Sequence, residues 1–538
     1  MRAIRTRETM TKVTAKVLTG AAMVAILSGA VMAHAQNADW LTDGGDTQRS
    51  GWQKDEHILT TANVGKMTLL WKAETGNEAR ALHNLMPALV VHKVETSGGA
   101  KQVVLVSGIS DNLYAYDAAD GSLLWKKHFT YAVEKPRQEP PSDWDSIGGG
   151  HTPKTLNFLE PGGSSDTPVI GPEKDGKWPV YFVDGGGILH ILNLADGSDL
   201  KPAITVEKGK GWALSLNGDT LWMPAINQMN VINLAKPEEG VKSWKSESGG
   251  LWGRRGAAVD SHGIAWSTTG DGTYNPAKNE IANALVGLDF HDGSLKLKDY
   301  YVPTNWQWLQ KRDLDPNNTP TIFNFHGREL IAASGKECRL ALLDPNSAGG
   351  PEHQQPLFRS DLFCNEEVDF QDAGSWGALS SWEDDKGTRW ILAPFWGPAH
   401  SKFHFPITNT PATVKGGMAA FKVVEKDGKP VAEAVWVSRD IDHGEPAIIA
   451  NSVVYTFGSG DFTQQASPDK GLNFDSSIRA RQANHVTLFA LDAQTGKELF
   501  SSGDAIKTFN HFSGVSVANG HVYISSYDGT LYCFGLKQ

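Results

Sequence analysis

Cysteine is scarce in this chain of 538 residues, which contains only Cys338, Cys364 and Cys533. Three cysteines form at most one disulfide and leave one thiol over. Cys338 can pair with Cys364 if the protein meets oxidising conditions, and three buried free thiols are the alternative. No C-x-x-C-H motif occurs, so a covalently attached c-type haem is excluded.

Long apolar runs are also missing. The run Ala21–Ala33 falls short of the roughly 20 apolar residues that span a bilayer. Basic residues precede it and Ala33-His34-Ala35 follows as an A-x-A cleavage site, the arrangement of a secretory signal. We therefore predict a signal peptide over 1–35 and a mature chain, 36–538, that is periplasmic or secreted and has no transmembrane segment. An uncleaved N-terminal anchor is the alternative.

Positive charge is not in excess. The formal net charge is −11 and the isoelectric point is near 5.9. Binding to nucleic acid through phosphate neutralisation needs a basic face, so nucleic acid is not an expected partner. Small molecules or proteins are expected instead.

The sequence does contain a repeat. In one copy, Asp117 is followed by Gly121 four residues later and by Trp125 eight residues later. This spacing predicts a β-hairpin in which Asp caps the turn, Gly adopts the conformation that side chains resist, and the bulky residue packs between neighbouring sheets. Further copies are Asp289, Gly293 and Leu297, then Asp492, Gly496 and Phe500, and more weakly Asn193 and Gly197.

Eight strand ends resemble the stretch before Asp117, and their separation suits a four-stranded blade with loops of varying length. We therefore predict an all-β fold, an eight-bladed β-propeller of four-stranded antiparallel blades that forms a single domain over 36–538. The eight positions are Asp117, Asn193, Asn233, Asp289, Asp344, Phe421, Asp492 and Phe534.

The two ends of the chain complement each other. The last copy of the repeat, 522–534, stops before the strand that should carry the bulky residue, whereas Leu69-Leu70-Trp71-Lys72 resembles that strand and has no hairpin before it. A closed ring must cover its last edge strand. The N-terminal strand is therefore predicted to complete the last blade.

These repeats resemble those of the quinoprotein alcohol dehydrogenase family, eight-bladed propellers that hold pyrroloquinoline quinone and Ca²⁺ on their axis. The resemblance covers nearly the whole mature chain, but such repeats also occur in non-catalytic propellers and do not establish chemistry. A more specific resemblance lies in the central stretch from Gly249 to Lys336.

In that family an indole forms the floor under the quinone, and Trp252 matches its position; packing between blades is the alternative. Trp376 lies in a Gly-Ser-Trp-Gly segment that either lines the mouth of the axis or belongs to the core. Lys336 matches a Lys or Arg that stabilises the reduced cofactor. Arg254 and Arg255 either hold cofactor carboxylates or lie on a surface loop.

The catalytic aspartate of the family matches Asp313, which implies a general base for the hydroxyl proton. Asp315, two residues on, would share its face of an extended strand and could take the same role; a solvated loop with capping aspartates is the alternative. Asp271 stands where the family has an asparagine Ca²⁺ ligand, although Asp-Gly is also a favourable turn.

Two family features are absent. No adjacent cysteines occur between Trp125 and Pro168, where many members carry a disulfide over the quinone. The expected glutamate Ca²⁺ ligand is also missing, and Asp184 is the candidate replacement.

Two functional hypotheses follow. The first is a quinone- and Ca²⁺-dependent dehydrogenase that oxidises an alcohol or sugar-like hydroxyl and passes electrons to an external acceptor. The second is a non-catalytic scaffold that binds protein or carbohydrate at the cell envelope, which the two missing features favour.

Overall fold

The computed structural model describes residues 37–131, 163–206, 211–465, 474 and 476–537. The predicted signal peptide and the polar loop around Gly148-Gly149-Gly150 lie outside these residues. No helix within the described ranges has both the length and the apolar character needed to cross a membrane.

Eight separate sheets follow one another along the chain, and consecutive strands within each are antiparallel. The first four sheets are listed from the innermost strand outward. Blade 1 comprises Leu89–Thr96, Gly99–Gly108, Asn112–Asp117 and Leu123–His128; blade 2, Val169–Ile170, Pro179–Val183, Ile188–Asn193 and Asp199–Thr205; blade 3, Ser215–Asn217, Thr220–Ala225, Gln228–Asn233 and Lys242–Trp244; blade 4, Leu251–Trp252 and Ala258–Val259, then Ala265–Thr269, Leu285–His291 and Ser294–Tyr301.

The second four sheets repeat this plan, and two of them gain a short parallel strand at an edge. Blade 5 comprises Thr321–Phe325, Arg328–Ala333, Ala341–Leu343 and Phe358–Arg359; blade 6, Ser380–Glu383, Arg389–Trp396, Gly416–Lys426 and Lys429–Val437, with Ile407–Thr408 added; blade 7, Ile448–Ala450, Val453–Gly458, Thr487–Asp492 and Glu498–Ser501, with Trp52–Gln53 added; blade 8, Val515–Ala518, His521–Ser525, Thr530–Gly535 and Thr68–Glu74.

The other elements are short and lie between strands. They are the ribbon of Tyr274–Asn275 with Glu280–Ile281, the α-helices Trp306–Gln310 and Ser476–Gln482, and the 3₁₀ turns Val64–Lys66, Pro237–Glu239, Pro276–Lys278 and Gly503–Ala505.

The predicted all-β eight-bladed propeller is confirmed. Each of the eight strand ends marked in the sequence falls in, or directly after, the third strand of a different blade. Five sheets have four strands, as predicted, and three have a fifth. In blade 4 the fifth strand arises because the innermost strand is broken into two pieces that pair with the same neighbour.

Closure of the ring by the N-terminal strand is also confirmed. Thr68–Glu74 pairs antiparallel with Thr530–Gly535, so that Leu69 lies opposite Phe534 and Lys72 opposite Tyr532. The outermost strand of blade 8 therefore comes from the other end of the chain. The backbone groups of Thr530–Gly535 that face outward are paired with this strand instead of forming an open edge.

The repeat spacing works as predicted in three blades, where the hairpin receives a tryptophan side chain from the preceding blade. The Trp125 indole donates a hydrogen bond to Leu194 O at 2.8 Å, and a side chain at Gly197 would collide with its ring. Gly197 also has φ +71°, which side chains resist. The same arrangement places Trp71 against Gly121 and Trp436 against Gly496.

An N-terminal belt, residues 38–53, follows the inner strands around the ring. It hydrogen-bonds in turn to each of the eight blades. The bonded positions lie farther along the inner strands, in the direction of the C-terminus, than Trp252 and Asp315, which lie at or before the beginning of their inner strands. The bonds join Trp40 to Val90, Leu41 to Ile170, Thr42 to Leu214, Thr47 to Val259, Gln48 to Ile322, Ser50 to Ser381, Gly51 to Ile449 and Gln53 to Val517.

Cys338 and Cys364 form a disulfide, which decides between the two alternatives left by the sequence. Cys533 is a buried free thiol. The disulfide joins the segment after Lys336 to the segment that contains Asn365, whose side-chain amide donates to Lys336 O at 2.7 Å. It therefore braces the backbone that carries Lys336.

Candidate functional site

A cavity of about 220 Å³ lies at the end of the axis where the inner strands begin. Segments of blades 3 to 8 that connect or begin their strands line it. Six of the nine residues predicted to form the site lie on its wall, namely Trp252, Asp271, Asp313, Asp315, Lys336 and Trp376.

Short turns bring these side chains to the axis. The helix Trp306–Gln310 ends just before Asp313, which has φ +52°, a left-handed conformation suited to a chain that leaves a helix. This turn directs the chain into the segment before blade 5. Gly270 lies so close to the Trp252 indole that any side chain there would collide with the ring.

We call Asp271, Asp313, Asp315 and Lys336 the acidic wall. The Lys336 ammonium lies 2.9 Å from Asp313 Oδ1 and 2.6 Å from Asp315 Oδ1. Lys336 and Asp315 are buried, whereas Asp313 is partly exposed to the cavity. Burial disfavours the charged form of Lys336, but Asp313 and Asp315 outweigh this effect and raise its pKa. Lys336 is therefore charged at neutral pH.

Two carboxyl groups of the acidic wall have raised pKa values. Burial raises the pKa of Asp315 to about 7, against the opposing attraction of Lys336. Asp271 lies at the rim and keeps exposed surface; partial burial of its carboxyl group and the negative charge of Asp313 raise its pKa to about 6. One lysine does not balance three carboxylates, and the excess negative charge favours protonation.

Aromatic rings form the remaining surface beside Lys336. Its ammonium lies 5.2 Å from the centre of the Trp376 indole and 5.9 Å from that of Trp252. Trp376 stacks on Trp396 with ring centres 4.6 Å apart and planes inclined by 14°. Phe512 adds a further ring, 6.4 Å from Trp376. The cavity therefore offers indole faces, which suit flat rings and cations.

We call Asp372, Asp442, His443, Asp461 and His511 the histidine wall. His443 bridges two carboxylates: Nε2 lies 2.8 Å from Asp372 Oδ1 and Nδ1 lies 2.8 Å from Asp442 Oδ1. Burial opposes the charge on His443, but the two aspartates raise its pKa to about 9. The hydroxyl of Thr463, on the cavity surface, donates to Asp372.

The second half of the histidine wall is also paired. Asp461 contacts His511, and Arg479 Nη2 lies 3.5 Å from Asp461 Oδ2. Burial lowers the pKa of His511 to about 4, against the attraction of Asp461, so His511 is neutral at pH 7. His511 and Arg479 reach the cavity, and Asp461 lies buried behind them.

The other three residues predicted to form the site lie away from the cavity surface. Arg254 forms an ion pair with buried Glu445 and packs on Phe512 from below, 4.0 Å from the ring centre. Arg255 is buried, 3.4 Å from Asp43 of the N-terminal belt. These arginines occupy the axis between the cavity and the belt.

Asp184 caps a hairpin in blade 2. Its Oδ1 accepts the backbone N–H groups of Gly186 and Ile188, and its Oδ2 lies 2.9 Å from His190 Nε2. Both carboxylate oxygens are used locally.

Among the described residues of the cavity, no three carboxylate, histidine or cysteine donors lie close enough together to form a ready set of metal ligands. Asp271, Asp313 and Asp315 supply the hard oxygen donors that Ca²⁺ prefers. However, the one set of three potential ligands in the described chain whose donor atoms all lie within 4.8 Å of one another is Asp260, His262 and Glu329, outside the cavity lining. In the acidic wall, the Lys336 ammonium lies against two of the carboxylates instead.

The cavity wall offers surfaces on which a planar ring would stack. Trp252 and Trp376 present ring faces, and Lys336 supplies a buried cation beside both. A side chain at Gly374 would collide with the backbone of Lys336, so the close contact between these two segments depends on a glycine with φ +112°.

No protein family matches the sequence, and no curated protein matches it. Solved structures do match. A europium-containing methanol dehydrogenase superposes with a TM-score of 0.54 and 11% identity, over 93% of this chain and 98% of that one. Quinohaemoprotein alcohol dehydrogenases from Comamonas testosteroni and Pseudomonas putida HK5 give TM-scores of 0.51 and 0.50 at 14% and 11% identity, each over 93% of this chain and 80% of its own.

The chain shares its fold with these dehydrogenases. The likeness predicted from the repeats is thereby confirmed at the level of the propeller. Identities this low establish the architecture alone, so the chemistry must be argued from the residues of the cavity.

Sequence reasoning missed the histidine wall and the aromatic contribution of Phe512. His443 and His511 occur in segments without a recognisable spacing, and their partners are remote in sequence: Asp372 is 71 residues from His443, and Asp461 is 50 from His511. The segments Asp442-His443 and His511-Phe512 lie a few residues before the inner strands of blades 7 and 8. That position, equivalent to the one occupied by Trp252, was the available signal.

Proposed function

We propose that this protein is an exported single-domain propeller that binds pyrroloquinoline quinone in the axial cavity and oxidises a hydroxyl group there. The observation that carries the proposal is the meeting of Asp313, Asp315 and Lys336 with two indole faces on one cavity wall. The Cys338–Cys364 disulfide supports export, because disulfides persist in oxidising compartments.

Trp252 and Trp376 would hold the flat ring through their faces, and the Lys336 ammonium would stabilise negative charge on its oxygen atoms. When bound, pyrroloquinoline quinone would supply a two-electron acceptor. An external acceptor would then have to reoxidise it.

Asp313 would take the hydroxyl proton of the substrate. Its Oδ1 is paired with Lys336, and Oδ2 takes no part in that ion pair. Asp313 retains some exposure to the cavity, whereas Asp315 is buried and paired. Asp315 would therefore position Lys336, and Lys336 would hold the Asp313 carboxylate toward the cavity.

The test is to add pyrroloquinoline quinone to the purified protein and to measure the thermal shift and dye-linked alcohol oxidation. We expect both, and we expect Asp313→Asn to abolish oxidation while retaining the shift. Full activity in Asp313→Asn would place the base at Asp315, which Asp315→Asn then tests. Absence of both the shift and dye reduction would refute the proposal.

A scaffold that binds ligands without redox chemistry is the second candidate. Its support is that the residues proposed as metal ligands and catalytic groups already have protein partners: Asp184 caps a hairpin, and Asp313 and Asp315 form ion pairs with Lys336. A thermal shift with no dye reduction under any metal supplement would favour the scaffold.

A further inference from the structure

The charges that line the cavity do not cancel. Asp271, Asp313 and Asp315 contribute three carboxyl groups, and Lys336 and Arg479 contribute two cations. Arg479 is balanced by Asp461 behind the cavity surface, and His511 is neutral at pH 7 because burial lowers its pKa to about 4. The described lining is therefore negative overall.

Asp271 carries the unbalanced part of this charge. Lys336 forms ion pairs with Asp313 and Asp315, and within the described chain no ion pair forms at Asp271. Asp271 is more exposed than Asp313 and Asp315. The side chain of Asn283 and the backbone of Gly272 hydrogen-bond to Asp271, so a bound positive charge would complement it without displacing another cation.

The surface beside these carboxylates is aromatic. Trp252, Trp376, Trp396, Phe370 and Phe512 all line the cavity. Lys336 shows that the arrangement accepts a cation, since its ammonium lies 5.2 Å from the centre of the Trp376 indole and 5.9 Å from that of Trp252. Indole faces attract organic cations through their ring electrons, which neutral alcohols do not exploit to the same degree.

We propose that the cavity selects a ligand that carries a positively charged ammonium group, with the charge beside the exposed Asp271 carboxylate and the aromatic lining. Combined with the proposed oxidation, on which this part rests, the substrate class is an amino alcohol. An organic cation is favoured over a metal ion for two reasons. The donor atoms of the three aspartates do not gather within 4.8 Å of one another, and aromatic faces are not metal ligands.

The test uses choline and 3,3-dimethylbutan-1-ol, which have the same shape because carbon replaces the charged nitrogen in the second. Both are titrated into the full-length protein by calorimetry without quinone. We expect choline to bind about tenfold more tightly, the ratio that about 1.4 kcal/mol of cation-specific attraction gives. Asp271→Asn should weaken choline binding by a similar factor and leave binding of the neutral alcohol unchanged.

Two further variants complete the design. Asp271→Glu should restore choline binding, because it returns the carboxylate. Asp120→Asn changes an exposed carboxylate in a blade 1 hairpin and should leave both affinities unchanged.

Equal affinities for the two ligands, binding of Ca²⁺ without binding of choline, or no binding of either ligand would each overturn the inference. Because the titration contains no quinone, selective choline binding in a protein that reduces no dye would refute the proposed oxidation alone.

Discussion

On the acidic wall of the cavity one ammonium group faces three carboxyl groups, whereas on the histidine wall His443 is held between two carboxylates and Asp461 faces Arg479. The consequences for protonation are opposite. The pKa of Asp271 and that of Asp315 rise to about 6 and about 7, chiefly through burial. Burial acts in the same direction on Asp372 and Asp442, but bonding to His443 outweighs it and lowers their pKa.

This difference separates a structural wall from one that can receive a ligand. Where His443, Arg479 and Lys415 already balance the carboxylates of Asp372, Asp442 and Asp461, another charge would lose more through desolvation than it gained. Where carboxylates outnumber cations, an incoming positive charge relieves repulsion. We infer that the acidic wall binds the ligand and that the histidine wall keeps the cavity rigid.

The largest effect is expected from Lys336→Met. It leaves Asp313 and Asp315 without their cation, and removing one partner of a buried ion pair typically costs about 3–5 kcal/mol. We expect a loss of this order in the free energy of unfolding at pH 7, measured by denaturant titration. Lys245→Met, which changes an exposed lysine, is the control. Adding Asp315→Asn to Lys336→Met should recover part of the loss; no recovery would contradict the proposed charge balance.

Removing the disulfide should have the next largest effect. Cys338 and Cys364 are 26 residues apart, and a disulfide that closes a loop of this size contributes about 3 kcal/mol by restricting the unfolded chain. We expect Cys338→Ser with Cys364→Ser to lose about that much, measured by denaturant titration. Because the disulfide braces the Lys336 segment, any choline affinity should fall as well. Cys533→Ser is the control for loss of a buried sulfur, and equal losses in both would contradict the bracing role.

His443→Gln tests the histidine wall through pH. The pKa of His443 is raised from 6.5 to about 9 by its two aspartates, so its contribution to stability is fully present below about pH 6.5 and is lost as the pH rises through 9. Wild-type protein should therefore lose of the order of 2 kcal/mol across this window, measured by denaturant titration at each pH, and His443→Gln should lose much less. Choline affinity should be unchanged. A wild-type profile in the variant would show that His443 is not charged.

The repeat made the propeller predictable because its residues are determined by local turn geometry and packing. An aspartate, a glycine and a bulky residue at fixed spacing specify a turn and its packing partner in three copies and, more weakly, in a fourth. The strand ends that resemble the stretch before Asp117 then placed all eight blades, and the incomplete last copy placed the closing strand. The N-terminal belt was not predictable in this way. Its residues contact six of the eight blades through backbone groups, which leave no pattern in side-chain type.

The acidic wall was visible in sequence because Asp313, Asp315 and Lys336 lie close together along the chain and match a known order. The predicted roles of Arg254 and Arg255 did not anticipate Glu445 or Asp43, both about 190 to 210 residues away in sequence. A charged residue gives the same signal in the sequence whether its side chain faces a ligand or a buried partner. Only the fold distinguishes the two.

The smallest expected effect, and one of opposite sign, is that of Asp271→Asn. Asp271 has its pKa raised to about 6 through partial burial and the charge of Asp313, so its contribution to stability is present below about pH 4 and declines as the pH rises through 6. At pH 8 the wild type therefore carries a repulsion that the variant lacks. We expect Asp271→Asn to be slightly more stable than wild type at pH 8, by less than about 1 kcal/mol because the rim is exposed to solvent, and indistinguishable from it at pH 4. Thermal melts at the two pH values measure this difference. Choline should abolish this difference, since a bound ammonium group stabilises only the wild type. If the variant is instead less stable than wild type at pH 8 without ligand, Asp271 already has a stabilising partner, and the acidic wall has no unbalanced negative charge for a ligand.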